Sequence, residues 1–194
     1  MRSSLCALLL LCVALKPGSL PASASPQMSI RSVEGGLYEV QGVFEAKVPV
    51  EQAWALLSDY GHLKGTVDSL VQSDVLERTG DHVVVEQQAR GSFLFFSQTV
   101  QVRLKILEHK LHSIEFEDVL KKDFGVYKGR WDVEPCEGGV RITYQLTADR
   151  GRFAPEAIER YVFKGQAATM LAQIKAKLEI HGDQSSLPRF SHRS

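Results

Sequence analysis

The residues best suited to proton transfer stand together in one short segment, Asp59-Tyr60-Gly61-His62. A carboxylate, a phenol and an imidazole could act as general acid and base in the cyclisation or hydrolysis of a carbonyl substrate, because such reactions need groups that exchange protons near neutral pH. The segment also has a simpler interpretation, in which Asp59 caps the next helical turn and Tyr60 and His62 lie on a surface loop. It therefore supports an enzyme hypothesis and a structural one.

Other patterns with chemical potential are weaker. His109 and His112 fall in a predicted hairpin turn where no cysteine or carboxylate cluster completes a site, so we expect solvated side chains and no metal. The sequence has no Gly-x-Ser-x-Gly nucleophile elbow, no phosphate-binding glycine loop and no dinucleotide fingerprint after a strand. We therefore expect no cofactor.

Four consecutive bulky apolar residues, Phe93-Leu94-Phe95-Phe96, interrupt the alternation of the segments around them. On a loop they would form an exposed apolar patch, of the kind that makes transient membrane contact, gates ligand entry or binds a partner protein. If a strand begins at Ser92 instead, alternate members are buried as core. The sequence leaves both interpretations open.

The N-terminal residues have the pattern of an export signal. Arg2 precedes an apolar run over residues 5–15, and the small residues of Pro21-Ala22-Ser23-Ala24 suit a signal peptidase. We expect cleavage after Ala24 and a periplasmic or secreted protein, because the run is too short to span the roughly 30 Å of a bilayer. Cys136 then remains as a single free, unreactive thiol in a hairpin turn.

Length and charge narrow the functional class further. The 194 residues include 23 basic and 23 acidic side chains, with no long block of either sign. Nucleic-acid binding normally needs a basic stripe, so we expect no nucleic-acid partner. Without the leader, about 170 residues remain, which suits one domain with a real core. We expect that domain to be a monomer.

The candidate residues are positioned by a predicted sheet and a long helix. Residues 25–36 are expected to form a flexible arm, and 183–194 a disordered tail. Hydrophobic periodicity predicts a strand over 37–48, a helix over 50–58, a loop over 59–69, six strands over 70–78, 82–90, 99–107, 111–120, 124–134 and 139–149, and a helix over 155–182. Because the connections are short, successive strands must pair antiparallel.

Three stretches carry a family resemblance: residues 48–60, the Tyr127-x-Gly129-x-Trp131 segment, and Ala167 to Ile174 in the last helix. With this order of elements, the sequence resembles the START-related helix-grip (SRPBCC) superfamily, in its polyketide cyclase and coenzyme Q-binding START-like branch. The resemblance covers residues 37–182 and implies an α+β helix-grip fold, in which a curved seven-stranded antiparallel sheet wraps around a long C-terminal helix. Because this scaffold hosts carriers, cyclases, hydrolases and receptors, the resemblance specifies the fold better than the activity.

The resemblance also implies an elongated apolar cavity between the sheet and the long helix, which holds a hydrophobic small molecule such as a lipid, a quinone or a polyketide-like compound. Eight residues are expected to line it, seven with inward strand parity and one on the helix: Phe96, Val102, Leu104, Phe116, Tyr127, Trp131, Tyr144 and Met170. Each also fits a plain core position. Arg130 and Asp132 have outward parity, unless a bulge inverts the strand and makes Arg130 an anchor for an anionic head group.

Three functional hypotheses remain from the sequence. The first is an exported, non-enzymatic binding or carrier protein for a hydrophobic ligand. The second is a cyclase-like or hydrolytic enzyme that uses the same cavity, with His62 and Asp59 or Tyr60 as acid and base, and it requires those side chains to point inward. The third is a protein-interaction module that uses the Phe93–Phe96 patch.

Overall fold

The computed structural model describes residues 25–93, 96–149 and 156–186, with side chains except at 92–98, 156–163, 181 and 183–186. These residues form eight strands and two α-helices: β1 Gln27–Val33, β2 Leu37–Ala46, α1 Val50–Leu57, β3 Leu70–Thr79, β4 His82–Phe93, β5 Phe96–His109, β6 Ser113–Asp118, β7 Tyr127–Cys136, β8 Gly139–Ala148 and α2 Glu156–Ser186. Short 3₁₀ turns lie at Glu34–Gly36 and Tyr60–Gly65. The predicted export signal and residues 187–194 of the predicted tail lie outside the described residues.

The described strands form one antiparallel sheet in the order β1-β2-β8-β7-β6-β5-β4-β3. Strands adjacent in the sheet are also adjacent in sequence except at one place, where β2 pairs with β8 and brings Val40 opposite Leu146. The α+β prediction of a curved antiparallel sheet with a long C-terminal helix is confirmed, with eight strands in place of seven.

The additional strand, β1, lies where the sequence predicts a flexible arm. Met28 and Ile30 stand opposite Gly42 and Val40 of β2 and pack partly buried against the core. The prediction of a flexible arm is therefore wrong for Gln27–Val33. An edge strand with one solvent-exposed face shows only two alternating apolar side chains, and its backbone hydrogen bonds cannot be recognised from composition. An exposed ion pair between Arg31 and Glu39 adds a second link to β2.

Helix α2 continues past Gly182, where the sequence predicts its end, and residues 183–186 belong to the helix instead of a tail. A Cβ atom built on Gly182 would stand 2.9 Å from Cγ1 of Val48 and 3.2 Å from the carbonyl oxygen of Lys47. The glycine therefore permits a close approach between α2 and the chain after β2, and it does not stop the helix.

The core is fully packed beside the middle of α2. Side chains from the helix, β2 and β8 are almost completely inaccessible there: Leu171, Ile174, Leu178, Val40, Phe44, Val140 and Ile142. The close backbone contacts of the helix are mainly with β2, then with β1 and β4, whereas β5 to β8 make at most isolated close contacts with its described residues. The helix is therefore closest to β1 and β2, at one edge of the sheet.

A buried carboxylate organises the connection between β6 and β7. The side chain of Asp118 is 2% exposed. Its Oδ1 accepts hydrogen bonds from the backbone N–H groups of Arg103 and Leu120, both at 2.9 Å, and its Oδ2 accepts one from Lys121 at 3.1 Å. Lys121 has a positive φ of 50°, an uncommon conformation for a residue with a side chain, so the carboxylate holds the turn in place.

We expect Asp118→Ala to lower the free energy of unfolding by about 2–4 kcal/mol, because three backbone N–H groups lose their acceptor in a buried environment. Asp118→Asn keeps one amide oxygen in the site and should cost clearly less. Urea denaturation of both variants measures the difference. If both variants lost the same free energy of unfolding, the turn would be stabilised by the carboxylate charge and not by the acceptor oxygens.

Candidate functional site

The predicted cavity residues lie on one face of the sheet. Directly paired residues of an antiparallel sheet point to the same side. The pairs that connect the predicted cavity residues across the sheet, from β4 to β8, are Gln87–Val102, Val85–Leu104, Ile106–Phe116, Phe116–Gly129, Tyr127–Ala148 and Trp131–Tyr144. The predicted inward parity is confirmed for the six cavity residues whose side chains the structure describes in β5 to β8: Val102, Leu104, Phe116, Tyr127, Trp131 and Tyr144. The Phe96 side chain lies outside the described residues, as does the Phe93–Phe96 patch.

The centre of this face is an aromatic wall, formed by Phe116, Phe124, Tyr127, Trp131 and Tyr144. The Trp131 and Tyr144 ring centroids are 4.5 Å apart, and those of Phe116 and Tyr127 are 6.0 Å apart. Phe116 also stacks near Tyr144 at 6.3 Å, and Phe124 lies 5.0 Å from Tyr127. These separations are typical of favourable aromatic pairs. The wall is thus continuous from β6 to β8.

Phe124 is the wall residue that sequence reasoning missed. Strand parity counted back from Tyr127 places Phe124 on the outer face of the sheet. In the structure β7 begins only at Tyr127, so Phe124 belongs to the preceding connection and is free of that alternation. Because Phe124 lies on an irregular segment, no hydrophobic periodicity in the sequence could have predicted its contact with Tyr127.

Three residues of the predicted cavity remain partly accessible although they face the interior. Tyr127 and Trp131 lie on the concave face and Met170 on α2, and all three pack against the core without being fully covered. Leu171, the neighbour of Met170, is 0% exposed. A close-packed interior covers its side chains completely. The partial accessibility shows that the aromatic wall and the part of α2 around Met170 are less completely covered than the core around Leu171.

A glycine in the Tyr-x-Gly-x-Trp segment allows the aromatic wall to form. Gly129 stands directly opposite Phe116. A Cβ atom there would lie 2.2 Å from the carbonyl oxygen of Gln145 and 2.5 Å from Cζ of Phe116. The Phe116 ring therefore occupies the space above Gly129, between Tyr127 and Trp131.

We expect Gly129→Ala to lower the free energy of unfolding by about 1–3 kcal/mol, because the methyl group meets a fixed carbonyl oxygen as well as the Phe116 ring. Gly91→Ala is the matched control: Gly91 also lies in a strand, and its added Cβ would meet no atom within 4 Å. Thermal unfolding of both variants gives the comparison. A Gly129 variant as stable as the Gly91 variant would show that Phe116 does not pack as described.

The polar atoms of the aromatic wall are uncharged. Burial raises the pKa of the Tyr127 and Tyr144 hydroxyls. Both phenols are therefore protonated at neutral pH.

Tyr60, part of the predicted acid–base segment, is buried and stabilises the fold. It is 4% exposed, and its hydroxyl donates to Oε1 of Glu108 at 2.9 Å. Arg78 donates to both oxygens of Glu108 at 3.1 Å and lies over the Tyr60 ring, 5.7 Å from its centroid. Burial, and then the bond to Glu108, raise the pKa of Tyr60 far above its usual value. Tyr60 therefore ties the 3₁₀ turn to β3 and β5.

Asp59 and His62 lie elsewhere. Nδ1 of His62 is 2.8 Å from Oδ1 of Asp59, and the two side chains are 87% and 54% exposed, respectively. They line an open cleft of about 370 Å³ together with Lys64 and Lys177. The three predicted acid–base residues are not brought together: the turn directs Tyr60 inward and leaves His62 in solvent. The expectation of a His62 base in the cavity is therefore not met.

Arg130 and Asp132 lie on the face of the sheet opposite the aromatic wall, as their parity predicts. Nε of Arg130 donates to Oδ1 of Asp132 at 2.6 Å, and its Nη1 pairs with Glu115 on the neighbouring strand. All three side chains are partly exposed. The register from β6 to β8 has no bulge at this point, so Arg130 does not reach the aromatic wall.

The remaining motifs have plain roles in the described part of the chain. His109 lies 3.7 Å from Glu115, and no three metal-ligating side chains come together among the described residues. Cys136 is a partly buried free thiol at the β7–β8 turn, as predicted. None of the described helices is both long enough and apolar enough to cross a bilayer.

Comparison with known families agrees with this geometry. Residues 38–179, from β2 into α2, match the family described as polyketide cyclase/dehydrase and lipid transport. The chain belongs to this family. The matched segment contains the whole aromatic wall and Met170, and the resemblance stated from the sequence is confirmed. No curated protein is detectably similar to this chain.

Solved structures share the fold of this family member. A STAR-related lipid transfer protein from Xanthomonas axonopodis is 18% identical, with 80% of this chain and 99% of that one covered and a TM-score of 0.63. An aromatase/cyclase from a Streptomyces species is 13% identical over 77% and 98%, also at 0.63. A human lipid transfer and protein localization domain is 15% identical over 82% and 87%, again at 0.63. At these identities the likeness establishes the fold alone.

Proposed function

We propose that this protein binds or carries a hydrophobic ligand in the cavity between the aromatic wall and α2. The observation that carries the proposal is the partial accessibility of Tyr127 and Trp131 on the concave face and of Met170 on α2, beside a neighbouring region of the core that is fully packed. Lipid transfer proteins and an aromatase/cyclase with the same fold support it. The ligand is a lipid, a quinone or a polyketide-like molecule.

The driving force for binding is removal of apolar ligand surface from water. A ligand that buries about 300 Å² gains about 7.5 kcal/mol at 25 cal/mol per Å². Association and ordering costs reduce this value. A small apolar probe should therefore bind with a dissociation constant between about 10 µM and 1 mM.

The proposal includes export and release of the leader. Residues 1–24 direct the protein to the periplasm or the exterior, where a monomer carries its ligand and the Phe93–Phe96 patch makes transient contact with membranes. N-terminal sequencing of the mature protein should give Ser25 as the first residue. An intact Met1 in protein from the native host would contradict export.

Extraction of the purified protein tests the ligand proposal. Protein from its native host, or loaded with a lipid extract of that host, should release one dominant class of apolar molecule into organic solvent, near one molecule per chain by mass spectrometry. A protein of similar size carried through the same steps serves as the control. Repeated recovery of ligand-free protein, together with no saturable binding of apolar probes, would overturn the proposal.

We do not propose catalysis by the Asp59–His62 pair. The pair lies in an exposed cleft, and its imidazole does not face the aromatic wall. A carrier function needs only the proposed cavity and no acid–base pair.

A further inference from the structure

A polar side chain interrupts an apolar stretch of the concave face. Gln87 stands on β4 directly opposite Val102, and its neighbours on the same side of the strand are Val85 and Ala89. Gln87 is only partly buried, whereas Val85 and Val102 are buried. An amide at such a position needs hydrogen-bond partners, because a covered amide without them is costly. The partners of Gln87 therefore show what its amide can still bind.

A chain of two hydrogen bonds fixes the orientation of the Gln87 amide. Oγ of Ser73 lies 2.6 Å from the backbone carbonyl oxygen of Tyr60, and Nε2 of Gln87 lies 3.1 Å from Oγ of Ser73. A carbonyl oxygen can only accept, so the Ser73 hydroxyl donates its single proton to Tyr60 and must accept from Gln87. The amide therefore presents its NH₂ group to Ser73, and its oxygen Oε1 points away from Ser73.

Burial holds this orientation in place. Ser73 is 3% exposed, and Tyr60 is buried and bonded through its own hydroxyl to Glu108 at 2.9 Å. Turning the Gln87 amide over would place Oε1 against a Ser73 oxygen whose proton is already donated, which is unfavourable in a buried position. The Gln87 oxygen is therefore an acceptor whose direction is set before any ligand binds, and such preorganisation reduces the cost of binding.

The end of the aromatic wall lies beside the same part of the sheet. Oδ2 of Asp123 accepts a hydrogen bond from the backbone N–H of Gln101 at 2.7 Å, which holds the connection before β7 against β5. Phe124, the last ring of the aromatic wall, follows Asp123 in that connection. Gln101 in turn precedes Val102, the residue opposite Gln87. The Gln87 amide and the Phe124 end of the wall therefore lie on the two sides of β5.

We propose that the ligand is an apolar alcohol or phenol, whose hydroxyl donates a hydrogen bond to Oε1 of Gln87 while its apolar part lies toward the aromatic wall. This inference rests on the proposed function and specifies the chemical class of the ligand. A ligand without a donor would remove water from Oε1 and leave the oxygen unpaired, which lowers affinity. Sites that hydrogen-bond a ligand hydroxyl discriminate in this way against analogues that lack it.

Three probes of similar size test the inference: naphthol, which can donate a hydrogen bond, methoxynaphthalene, which can only accept one, and methylnaphthalene, which can do neither. Protein is added to a fixed amount of each probe at neutral pH, and binding is followed by the fluorescence of the naphthalene ring. The quantity compared is the ratio of the naphthol affinity to the methylnaphthalene affinity, because differences in probe hydration cancel between protein variants.

Gln87→Met, which keeps the length of the side chain but removes the amide, should lower this ratio about three- to tenfold. The ratio of the methoxynaphthalene affinity to the methylnaphthalene affinity should not change. Gln88→Met is the matched control: Gln88 is the next residue of β4, is also partly buried, and has the opposite parity, paired with Gln72 and Gln101. This control should leave both ratios at their wild-type values.

The side-chain amide signals of Gln87 in the NMR spectrum of wild-type protein give a second readout that needs no variant. Naphthol should shift these signals further than methylnaphthalene does at the same occupancy. Equal shifts with the two probes, a naphthol ratio that Gln87→Met leaves unchanged, or an equal loss in Gln88→Met overturns the inference but leaves the carrier function standing. Saturable binding of none of the three probes counts against the carrier function itself.

Discussion

Replacing Ala167 with phenylalanine should weaken binding of apolar ligands at least about tenfold while changing the free energy of unfolding by less than about 1 kcal/mol. Ala167 lies on the buried stripe of α2, one turn before Met170 and Leu171. Under the proposed function, the added ring occupies volume between α2 and the aromatic wall that a ligand would otherwise fill. Overpacking a dense core by this much usually costs 1–3 kcal/mol or more, so tolerance of the ring is itself evidence for empty space.

Ala53→Phe provides the control. Ala53 is a helical alanine on α1 with no exposed surface, in the packed part of the core. The same substitution there should destabilise the protein strongly, as followed by thermal and chemical unfolding. If Ala167→Phe proves as destabilising as Ala53→Phe, the space beside Ala167 is filled by protein and the cavity is not where we place it.

Truncation of two adjacent residues on α2 should have very different costs. Leu171→Ala should lower the free energy of unfolding by about 3–5 kcal/mol, because it leaves a void in a fully packed site. Leu171 is 0% exposed, and its Cδ1 would be only 2.1 Å from a Cβ atom on Gly42. Met170→Ala should cost about 1 kcal/mol or less, since the Met170 side chain is only partly buried.

The same pair separates stability from binding. Met170→Ala removes part of the cavity lining and should alter affinity for apolar probes, whereas Leu171→Ala acts mainly through stability. Urea denaturation and probe titration on both variants give four values. Equal unfolding costs for the two truncations would mean that the interior around Met170 is as closely packed as that around Leu171.

Sequence periodicity predicted most elements because one face of each strand is buried. β5 is the clearest case: its alternating Val102 and Leu104 lie on the concave face, and Arg103 pairs with Glu86 on the other side. The same alternation placed Arg130 outward. β1 escaped prediction because an edge strand with two inward apolar residues is too short to show a period.

Long-range partners explain the errors at the site. Tyr60 turns inward because its hydroxyl meets Glu108, which is 48 residues away in the chain. No local pattern in Asp59-Tyr60-Gly61-His62 could reveal that partner, so the segment resembled an acid–base set. Phe124 joined the aromatic wall for a similar reason, since its position depends on where β7 begins. Asp118 likewise acts on backbone groups that composition does not display.

Energy transfer from tryptophan to a neutral apolar fluorophore is the most direct test of the cavity. Of the two tryptophans, Trp131 lies in the aromatic wall and Trp54 on α1. Titration of ligand-free protein with N-phenyl-naphthylamine should show saturable binding at one site per chain, with most of the tryptophan quenching lost in Trp131→Phe. Binding that never saturates, or quenching that persists unchanged in Trp131→Phe, would contradict a ligand cavity at this wall.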